Sequence, residues 1–247
     1  MNQAAAHSIV QSMAIGSDDT VLEIGPGEGV LTEFLLESPA DKIIAVEIDR
    51  RVGKWLRVRF DSDKRFKLVE GDILEFDLES VHANDKIRVV GNLPYSITSP
   101  ILFRMLDNRF RIRDVTVTVQ KEVAERLTGK PGTKAYGIPS IFFQLYGNVD
   151  LLFHIPRDDF YPVPNVDSSV IHIEFLEGPA FKVDDEIFFR RLIKTIFGQR
   201  RKMLRNTLKN LLNGEIETDG ISLNLSKRPE ELSIEELVML SNQLKCS

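Results

Sequence analysis

Short apolar runs that alternate with stretches of helical periodicity constrain the fold of this chain most strongly. Each of the first four runs is apolar at nearly every position, as expected of parallel strands that are covered on both faces. A repeated order of strand, helix and strand predicts a parallel sheet with right-handed crossover connections. The four predicted strands are Val21–Ile24, Ile43–Ile48, Phe66–Val69 and Ile87–Val90. The helical stretches between and after them are Val30–Glu37, Arg51–Phe60 and Ser99–Leu106.

Three more β-rich runs complete a predicted sheet of seven strands. They are Val115–Gln120, Leu151–Ile155 and Ser169–Phe175. The last two follow each other with no room for a helix, which predicts an antiparallel hairpin at one end of the sheet. The expected fold is therefore α/β and Rossmann-like, with a mostly parallel seven-stranded sheet.

A linker separates this β-rich part from a helical part. Glu177-Gly178-Pro179 has the composition of a linker, and the pattern beyond it is helical throughout. Ser233, with Glu236 three residues later, predicts the capped start of a last helix. We expect an α/β domain over residues 1–176 and a small C-terminal helical domain over residues 177–247. The apolar positions with helical spacing are Phe188, Phe189, Leu192, Ile193 and Ile196, then Leu204, Leu208, Leu211 and Leu212.

Positive charge is concentrated in the predicted helical domain, although the chain as a whole carries a net charge of −5. No acidic residue interrupts the segment 190–209. This favours contact with phosphates over a solvated helix face, because solvated helices usually mix charges of both signs. If the basic residues continue one helix, Arg201 and Arg205 lie one turn apart on the same face. The alternative is that these arginines hold the two domains together through carboxylates of the sheet domain. The four cations expected to bind RNA are Arg200, Arg201, Lys202 and Arg205.

Cysteine usage and hydropathy indicate a compartment. The one cysteine, Cys246, excludes an internal disulfide and fits a reducing cytoplasm. No apolar run approaches the roughly 20 residues that a membrane span requires, and the amino terminus lacks the features of a secretory signal. We therefore expect a cytoplasmic monomer without a membrane partner. No metal site is expected, since the histidines have no ligand spacing; they are His7, His82, His154 and His172.

The ends of the first three predicted strands carry the parts of an adenosine site. The first strand runs into a glycine-rich turn, Gly25-Pro26-Gly27-Glu28-Gly29, that allows a ligand to approach the backbone, although a simple tight turn has the same pattern. Glu47 ends the second strand, at about the 20-residue offset at which an acidic residue meets a ribose. Asp72 follows the third strand, where it can accept a hydrogen bond from an adenine amino group while Ile73 covers the ring.

The fourth strand ends in the most specific motif of the chain, Asn92-Leu93-Pro94-Tyr95. The 6-amino group of adenine is a poor nucleophile, because its lone pair is delocalised into the ring. Fixed oxygens that accept hydrogen bonds from both N–H groups of the amine make the nitrogen more tetrahedral and more reactive. The side-chain carbonyl of Asn92 and a backbone carbonyl at Leu93 or Pro94 suit that task, and the proline stiffens the turn. Tyr95 can stack on a base that has been flipped out of its helix.

With these motifs in view, the chain resembles the small-subunit ribosomal RNA adenine dimethyltransferases over nearly its whole length. The resemblance rests on Val21–Gly27 and Asn92–Tyr95. It rests also on Phe160-Tyr161-Pro162-Val163-Pro164-Asn165-Val166-Asp167-Ser168 and on Phe197-Gly198-Gln199-Arg200-Arg201-Lys202-Met203-Leu204-Arg205-Asn206. The last segment separates this family from relatives that confer macrolide resistance by modifying large-subunit RNA.

The resemblance implies a class I methyltransferase that uses S-adenosylmethionine. The family modifies two adjacent adenosines near the 3′ end of small-subunit rRNA, so the implied partner is that RNA or the immature small subunit. Tyr95 and Phe160 are implied to flank the target adenine, next to Asn92 and Pro94. The implied cofactor contacts are Gly25, Gly27, Glu47, Asp72, Ile73 and Asn92.

Two other functions fit part of the pattern. A methyltransferase of the same fold could act on a small molecule, but the basic segment and the Asn92–Tyr95 motif disfavour it. A non-catalytic RNA-binding or assembly factor is disfavoured by the intact glycine loop. Family members usually carry a Phe-Gly-Gln-x-Phe-Leu segment before the first helix, whereas this sequence starts at Met1-Asn2-Gln3. We therefore expect the chain as given to fold and to hold the cofactor loosely.

Overall fold

A computed structural model describes residues 1–81, 86–211 and 222–245. Within these ranges no helix is both long and apolar enough to cross a bilayer. His82, Leu212 and Cys246, which the sequence analysis names, lie outside the described residues.

Strands and helices alternate in the first half of the chain, as the sequence predicts. The first elements are α1 (Gln3–Ser12), β1 (Thr20–Ile24), α2 (Val30–Glu37), β2 (Lys42–Glu47), α3 (Arg50–Phe60) and β3 (Phe66–Glu70). They are followed by β4 (Ile87–Asn92), α4 (Thr98–Asp107), β5 (Ile112–Gln120), α5 (Lys121–Leu127) and α6 (Ile138–Tyr146). The remainder comprises β6 (Gly147–Ile155), β7 (Ser168–Phe175), α7 (Glu186–Phe197), α8 (Leu204–Leu211) and α9 (Ile234–Lys245).

The seven strands form one sheet in the order β3-β2-β1-β4-β5-β7-β6. The pairs β1–β2, β2–β3, β1–β4 and β4–β5 are parallel, whereas β5 and β7 are antiparallel. The predicted mostly parallel seven-stranded sheet is thus confirmed. β6 and β7 are neighbours, as predicted, but β7 also pairs with β5, so the last strand of the chain lies inside the sheet and not at its border.

Apolar burial explains why the central strands lack alternation. All five residues of β1 are buried, as are all but the first residue of β2. Helices α1, α2 and α3 contribute Ile9, Leu35 and Leu56 to the same hydrophobic cluster as Ile43 of β2. The outermost strand β6 instead alternates exposed positions with partly buried ones, since one of its faces is open to solvent.

The chain divides into two compact units, and their boundaries differ from the predicted ones. The sheet unit comprises Met1–Ala124 and Asn148–Phe175, and the helical unit comprises Glu125–Gly147 and Leu176–Ser247. A single division after residue 176 therefore places residues 125–147 in the sheet unit, whereas they belong with the C-terminal helices. Packing provides the reason, since Phe142 of α6 meets Phe189 of α7 edge to face at 5.8 Å between ring centroids.

The last helix of the helical unit begins as its sequence predicts. The Ser233 hydroxyl accepts the backbone N–H of Glu236 at 3.1 Å, and the Glu236 carboxylate accepts the backbone N–H of Ser233 at 2.8 Å. This reciprocal capping box satisfies two donors that a helix start leaves without partners.

Candidate functional site

Four neighbouring strands bring the predicted site residues together at the carboxyl-terminal ends of the strands. In the order β3-β2-β1-β4, the chain leaves the sheet through Asp72, Glu47, the glycine loop after β1, and Asn92. All four strands are parallel, so these carboxyl ends lie side by side. This is where open α/β sheets bind their ligands.

The glycine loop has a backbone that other residues rarely adopt and an open side. Gly25 and Gly27 have φ angles of 62° and 55°, in the left-handed region that favours glycine. A Cβ added at either position would meet no atom within 4 Å, so the space beside the backbone is free for a ligand. Gly29 serves packing instead, because a Cβ there would lie 2.6 Å from the ring of Phe60.

Glu47 links the glycine loop to the start of α3. Its two carboxylate oxygens accept the backbone N–H of Gly27 at 3.2 Å and that of Asp49 at 2.9 Å. The residue is only 7% exposed, so these two bonds fix the orientation of the carboxylate. Each oxygen retains a second lone pair, which leaves the group able to accept both hydroxyls of a ribose.

The end of β3 is tied to this carboxylate through the backbone. The N–H of Gly71 donates to the carbonyl of Glu47 at 2.9 Å, which brings Asp72 next to the end of β2. The Asp72 side chain accepts the N–H of Leu74 at 2.8 Å and is partly exposed, while Ile73 is buried. A partly exposed carboxylate beside a buried aliphatic side chain suits an adenine amino group and its ring face.

Glu23 is a buried carboxyl within the Val21–Gly27 motif, and the sequence alone indicated no role for it. It lies in β1, two residues before Gly25, and accepts the hydroxyl of Thr32 at 2.6 Å. Burial raises the pKa of Glu23 to about 7; the Thr32 hydrogen bond opposes this increase, and the nearby Glu47 charge adds to it. Its other oxygen, Oε1, is buried and has no partner among the described residues. A glutamate in an otherwise apolar strand was the signal that could have revealed it.

At the end of β4, Asn92 combines exposure with an unpaired buried atom. The residue is partly exposed, yet its Oδ1 is buried and has no hydrogen-bond partner in the described part of the chain. The backbone after it is fixed, since the N–H of Leu93 donates to the carbonyl of Thr118 at 3.1 Å. The carbonyl of Pro94 already accepts two donors, the Thr98 hydroxyl at 2.9 Å and the Ile97 N–H at 3.1 Å.

The two predicted aromatic residues have different environments. Tyr95 is partly exposed, and its hydroxyl hydrogen-bonds to that of Ser168 at 2.7 Å, which ties the motif to the start of β7. Phe160, in the connection between β6 and β7, is 8% exposed and packs in the hydrophobic cluster of the sheet unit. Tyr161, the next residue, is 93% exposed. Of the two predicted aromatic residues, only Tyr95 is therefore partly accessible to solvent in this structure.

The four basic residues expected to bind RNA do not continue one helix. Helix α7 ends at Phe197 and α8 begins at Leu204, so Arg200, Arg201 and Lys202 lie in the turn between them. The prediction that Arg201 and Arg205 lie one turn apart on a single helix is therefore wrong. Gly198 follows the last residue of α7, and glycine is a poor helix former.

Arg200 differs from the other three in its contacts. Its guanidinium is ion-paired with Glu230 at 3.3 Å and donates to the carbonyls of Lys134 at 3.1 Å and Tyr136 at 3.4 Å. All of these partners belong to the helical unit, so Arg200 joins its segments. The side chains of Arg201, Lys202 and Arg205 are exposed, and Arg205 donates to the Ser226 hydroxyl at 2.9 Å.

This sheet, with a glycine loop after its first strand and an acidic residue at the end of its second, defines a class I S-adenosylmethionine-dependent methyltransferase. The chain belongs to the ribosomal RNA adenine dimethylase family, whose model matches residues 1–245. The resemblance and the cofactor expected from the sequence are thereby confirmed. The open glycine loop and the oriented Glu47 carboxylate fit that cofactor.

Curated relatives and solved structures agree with this assignment. The chain is 43% identical to the ribosomal RNA small subunit methyltransferase A of Geobacter metallireducens, over 92% of this chain and 86% of that protein. It is 41% identical to the protein of the same name from Chlorobium phaeobacteroides, over 99% and 90%. A dimethyladenosine transferase from Plasmodium falciparum superposes with a TM-score of 0.79 at 25% identity, covering 97% of this chain and 94% of that one.

The fold alone does not separate two kinds of rRNA methyltransferase. The 23S rRNA methyltransferase ErmE superposes with a TM-score of 0.76 at 23% identity, covering 99% of this chain and 98% of its own. The helical unit is therefore shared in fold by both groups. The distinction between them rests on sequence, where the relatives at about 40% identity are small-subunit enzymes.

Proposed function

We propose that this protein transfers methyl groups to the 6-amino groups of two adjacent adenosines near the 3′ end of small-subunit rRNA, within the immature small subunit. The small-subunit methyltransferases that it resembles over almost their whole length support this substrate. One observation supports the chemistry most directly. Asn92 is the last residue of β4, and β4 pairs with β1, the strand that leads into the glycine loop.

The cofactor is held, in this proposal, across three strand ends. Gly25 and Gly27 leave room for its amino-acid portion, Glu47 accepts the ribose hydroxyls, and Asp72 with Ile73 binds the adenine. When bound, S-adenosylmethionine supplies an electrophilic methyl group on a positively charged sulfur.

Asn92 prepares the nucleophile. Its side-chain oxygen accepts a hydrogen bond from one N–H of the target amine, and a backbone carbonyl accepts one from the other N–H. The nitrogen lone pair is then withdrawn from conjugation with the ring and points at the methyl group. The carbonyl of Leu93 is favoured for the second role. The carbonyl of Pro94 already accepts two donors, which use both of its lone pairs. The Tyr95 ring stacks on one face of the extruded base, with Phe160 assigned to the other.

The test compares substrates and one variant. Labelled S-adenosylmethionine is supplied with immature small subunits, bare small-subunit rRNA or large-subunit rRNA, and the modified nucleoside is identified. We expect dimethyladenosine in small-subunit RNA and a loss of about 10²–10³-fold in rate for Asn92→Ala, as for other groups that stabilise a transition state. Methyl transfer to large-subunit RNA alone contradicts the proposed substrate. Wild-type transfer by Asn92→Ala contradicts the mechanism, and RNA binding without any transfer supports the assembly-factor alternative.

We also propose that Arg201, Lys202 and Arg205 bind RNA phosphates, as exposed cations of the helical unit. Arg200 contributes indirectly by holding this turn in place through Glu230 and two carbonyls. Acting on RNA in the cytoplasm, the protein needs no second copy, because every proposed site residue belongs to one chain. A molar mass in light scattering that corresponds to a dimer contradicts the monomer.

Reversal of charge tests this surface. Arg201→Glu with Arg205→Glu is expected to weaken RNA binding and to lower the slope of log affinity against log salt by about two, one unit per lost phosphate contact. The matched control is Arg50→Glu with Lys54→Glu, two exposed cations of α3 in the sheet unit. If the arginines serve stability alone, the first variant melts at a lower temperature while RNA affinity per folded molecule is unchanged.

A further inference from the structure

Two threonines of β5 share one environment but differ in their hydrogen bonds. Thr116 and Thr118 are both fully buried, and their spacing of two residues along a strand places them on the same face of the sheet. The Thr116 hydroxyl hydrogen-bonds to Nδ1 of His172 at 2.9 Å. The Thr118 hydroxyl has no partner among the described residues. A buried hydroxyl without a partner costs about 1–3 kcal/mol, so this one requires an explanation.

The register of the sheet places Thr118 beside Asn92. These two residues are Cα partners in the parallel pair of β4 and β5, and neighbouring strands lie about 4.8 Å apart. The same pair of strands shows that partners can hydrogen-bond across this gap. Arg88 and Asp114, also Cα partners, are joined at 2.9 Å between Nε and Oδ2. Asn92 and Arg88 are four residues apart on β4, so their side chains lie on one face.

Both side chains have an unused buried atom. Asn92 Oδ1 lacks a donor and Thr118 Oγ1 lacks any partner within the described ranges. Methyl transfer requires the Asn92 oxygen to face the target amine. Rotating the amide by 180° exchanges oxygen and nitrogen, which are nearly indistinguishable in shape. The buried position is then occupied by the Nδ2 donor, which needs an acceptor.

We propose that Thr118 is a positioning residue for methyl transfer, whose hydroxyl accepts a hydrogen bond from Asn92 Nδ2 when the adenine is bound and so turns Asn92 Oδ1 toward the amine. The proposal rests on the function assigned above to Asn92. No hydrogen bond joins Asn92 Oδ1 and Thr118 Oγ1 in this structure, and catalytic hydrogen bonds commonly tighten only in the substrate complex. The hydroxyl of Thr118 never touches the substrate, so its effect reaches the reaction through Asn92.

The experiment measures single-turnover methyl transfer, cofactor affinity and melting temperature for a set of matched variants. Thr118→Val keeps the shape and removes the hydroxyl. Thr118→Ser restores a hydroxyl, and Thr116→Val removes the neighbouring hydroxyl that already has a partner. Each is made in the wild-type chain and in Asn92→Ala. Thr118→Ala removes the same group with a smaller side chain and replaces Thr118→Val if that variant does not fold.

We expect Thr118→Val to lower the rate of transfer about tenfold, the equivalent of one hydrogen bond, with cofactor affinity unchanged. Thr118→Ser is expected to recover most of the rate, and Thr116→Val to lower the melting temperature without lowering the rate. In Asn92→Ala, Thr118→Val has no further effect, since the group on which it acts is gone.

The measurements distinguish a failure of the role proposed for Thr118 from a failure of the mechanism proposed for Asn92. A wild-type rate in Thr118→Val, or an equal loss in the presence and absence of the Asn92 side chain, overturns the role of Thr118 and leaves the function intact. A wild-type rate in Asn92→Ala overturns the assigned mechanism itself, whatever Thr118 does. A rate loss in Thr116→Val as large as that in Thr118→Val also contradicts the proposal, because it identifies a general effect of β5 packing.

Discussion

The two ends of the sheet bury polar groups in opposite ways. At the amino ends of β4 and β5, the Arg88 guanidinium lies 2.8 Å from Asp114 and 3.0 Å from Asp19; the side chains of Arg88 and Asp114 are almost fully buried, and that of Asp19 is 13% exposed. At the carboxyl ends, Glu23, Asn92 and Thr118 each have a buried oxygen without a partner among the described residues. The first arrangement satisfies every charge, whereas the second retains hydrogen-bonding capacity. A buried polar atom without a partner is therefore a candidate for binding, whereas a buried ion pair with satisfied charges is a candidate for stability.

The largest effect is expected at the amino ends. Arg88→Met leaves Asp114 buried with only the longer contact to Arg113, at 3.9 Å, which is expected to cost about 3–5 kcal/mol of unfolding free energy. Methyl transfer per folded molecule stays unchanged, because the cluster lies at the far end of the strands. Urea unfolding and single-turnover assays on one preparation measure both quantities. Arg88→Met with Asp114→Leu is the control and recovers much of the stability. A large rate loss in folded Arg88→Met removes the distinction between the two ends.

The contributions of the two ends to stability are also expected to depend on pH in opposite directions. The pKa of Glu23 is raised by burial to about 7 from an ordinary value of 4.5, so the stability linked to its proton is present below pH 4.5 and lost as pH rises through 7. Burial works to raise the pKa of Asp19, but the Gly16 amide and the Arg88 guanidinium outweigh it and hold that pKa below its usual value of 3.8. Its contribution is present above pH 3.8 and is lost as pH falls through its lowered pKa.

Glu23→Gln tests this contrast. Urea unfolding between about pH 5 and pH 8 is expected to show a decline of roughly 3 kcal/mol for the wild type that is absent in the variant, at about 1.4 kcal/mol for each pH unit of pKa shift. Asp19→Asn is expected to lower the free energy of unfolding evenly across this range and to change the slope of the profile only in the acid limb. Equal pH profiles for wild type and Glu23→Gln contradict the assignment of the decline to Glu23.

Loss of Glu47, the carboxylate proposed to bind the ribose, is expected to change a free energy by a smaller amount. Glu47→Ala removes a charge-assisted acceptor and is expected to weaken S-adenosylmethionine binding by about 1.5–3 kcal/mol in calorimetry. Glu70→Ala is a suitable control, since Glu70 is the Cα partner of Glu47 on β3 and forms an ion pair with Arg57 at 3.3 Å. If Glu47→Ala binds the cofactor as tightly as Glu70→Ala does, the cofactor does not use this carboxylate.

The smallest effect concerns the hydroxyl of Tyr95. Tyr95→Phe loses one hydrogen bond to Ser168 and is expected to lower stability by about 1 kcal/mol. The ring that we propose to stack on the base remains, so the rate of methyl transfer is expected to fall much less than in Tyr95→Ala. An equally large loss of rate in both variants shows that the hydroxyl, and not the ring face, is required.

The sequence predicted the elements whose signal is local. Helix α2 has the predicted bounds, Val30–Glu37. The first four strands were found from nearly uninterrupted apolar runs, and the last three from β-rich runs. The strand ends also predicted where Glu47, Asp72 and Asn92 meet, since parallel strands bring their carboxyl ends together. The finer roles assigned to these side chains stay predictions.

Features that depend on distant partners were missed. Helix α6, Ile138–Tyr146, is apolar on nearly all sides, so no periodicity distinguished it, and its place beside α7 depends on contacts across a long stretch of chain. The role of Arg200 depended on Glu230 and on carbonyls far away in sequence. Thr118 was not singled out, because a threonine in a strand is ordinary until its hydroxyl is found to be buried without a partner.

The insertion of β7 between β5 and β6 affects how this enzyme emerges during synthesis. Until Phe175 has been translated, β5 has an unpaired border and β6 has no neighbour, because the strand that joins them is the last of the sheet to be made. Ser168, to which Tyr95 is tied, arrives with that same strand. A nascent chain can therefore complete the glycine loop long before it completes the proposed site for the target base. Fragments that stop before β7 expose strand borders that favour aggregation.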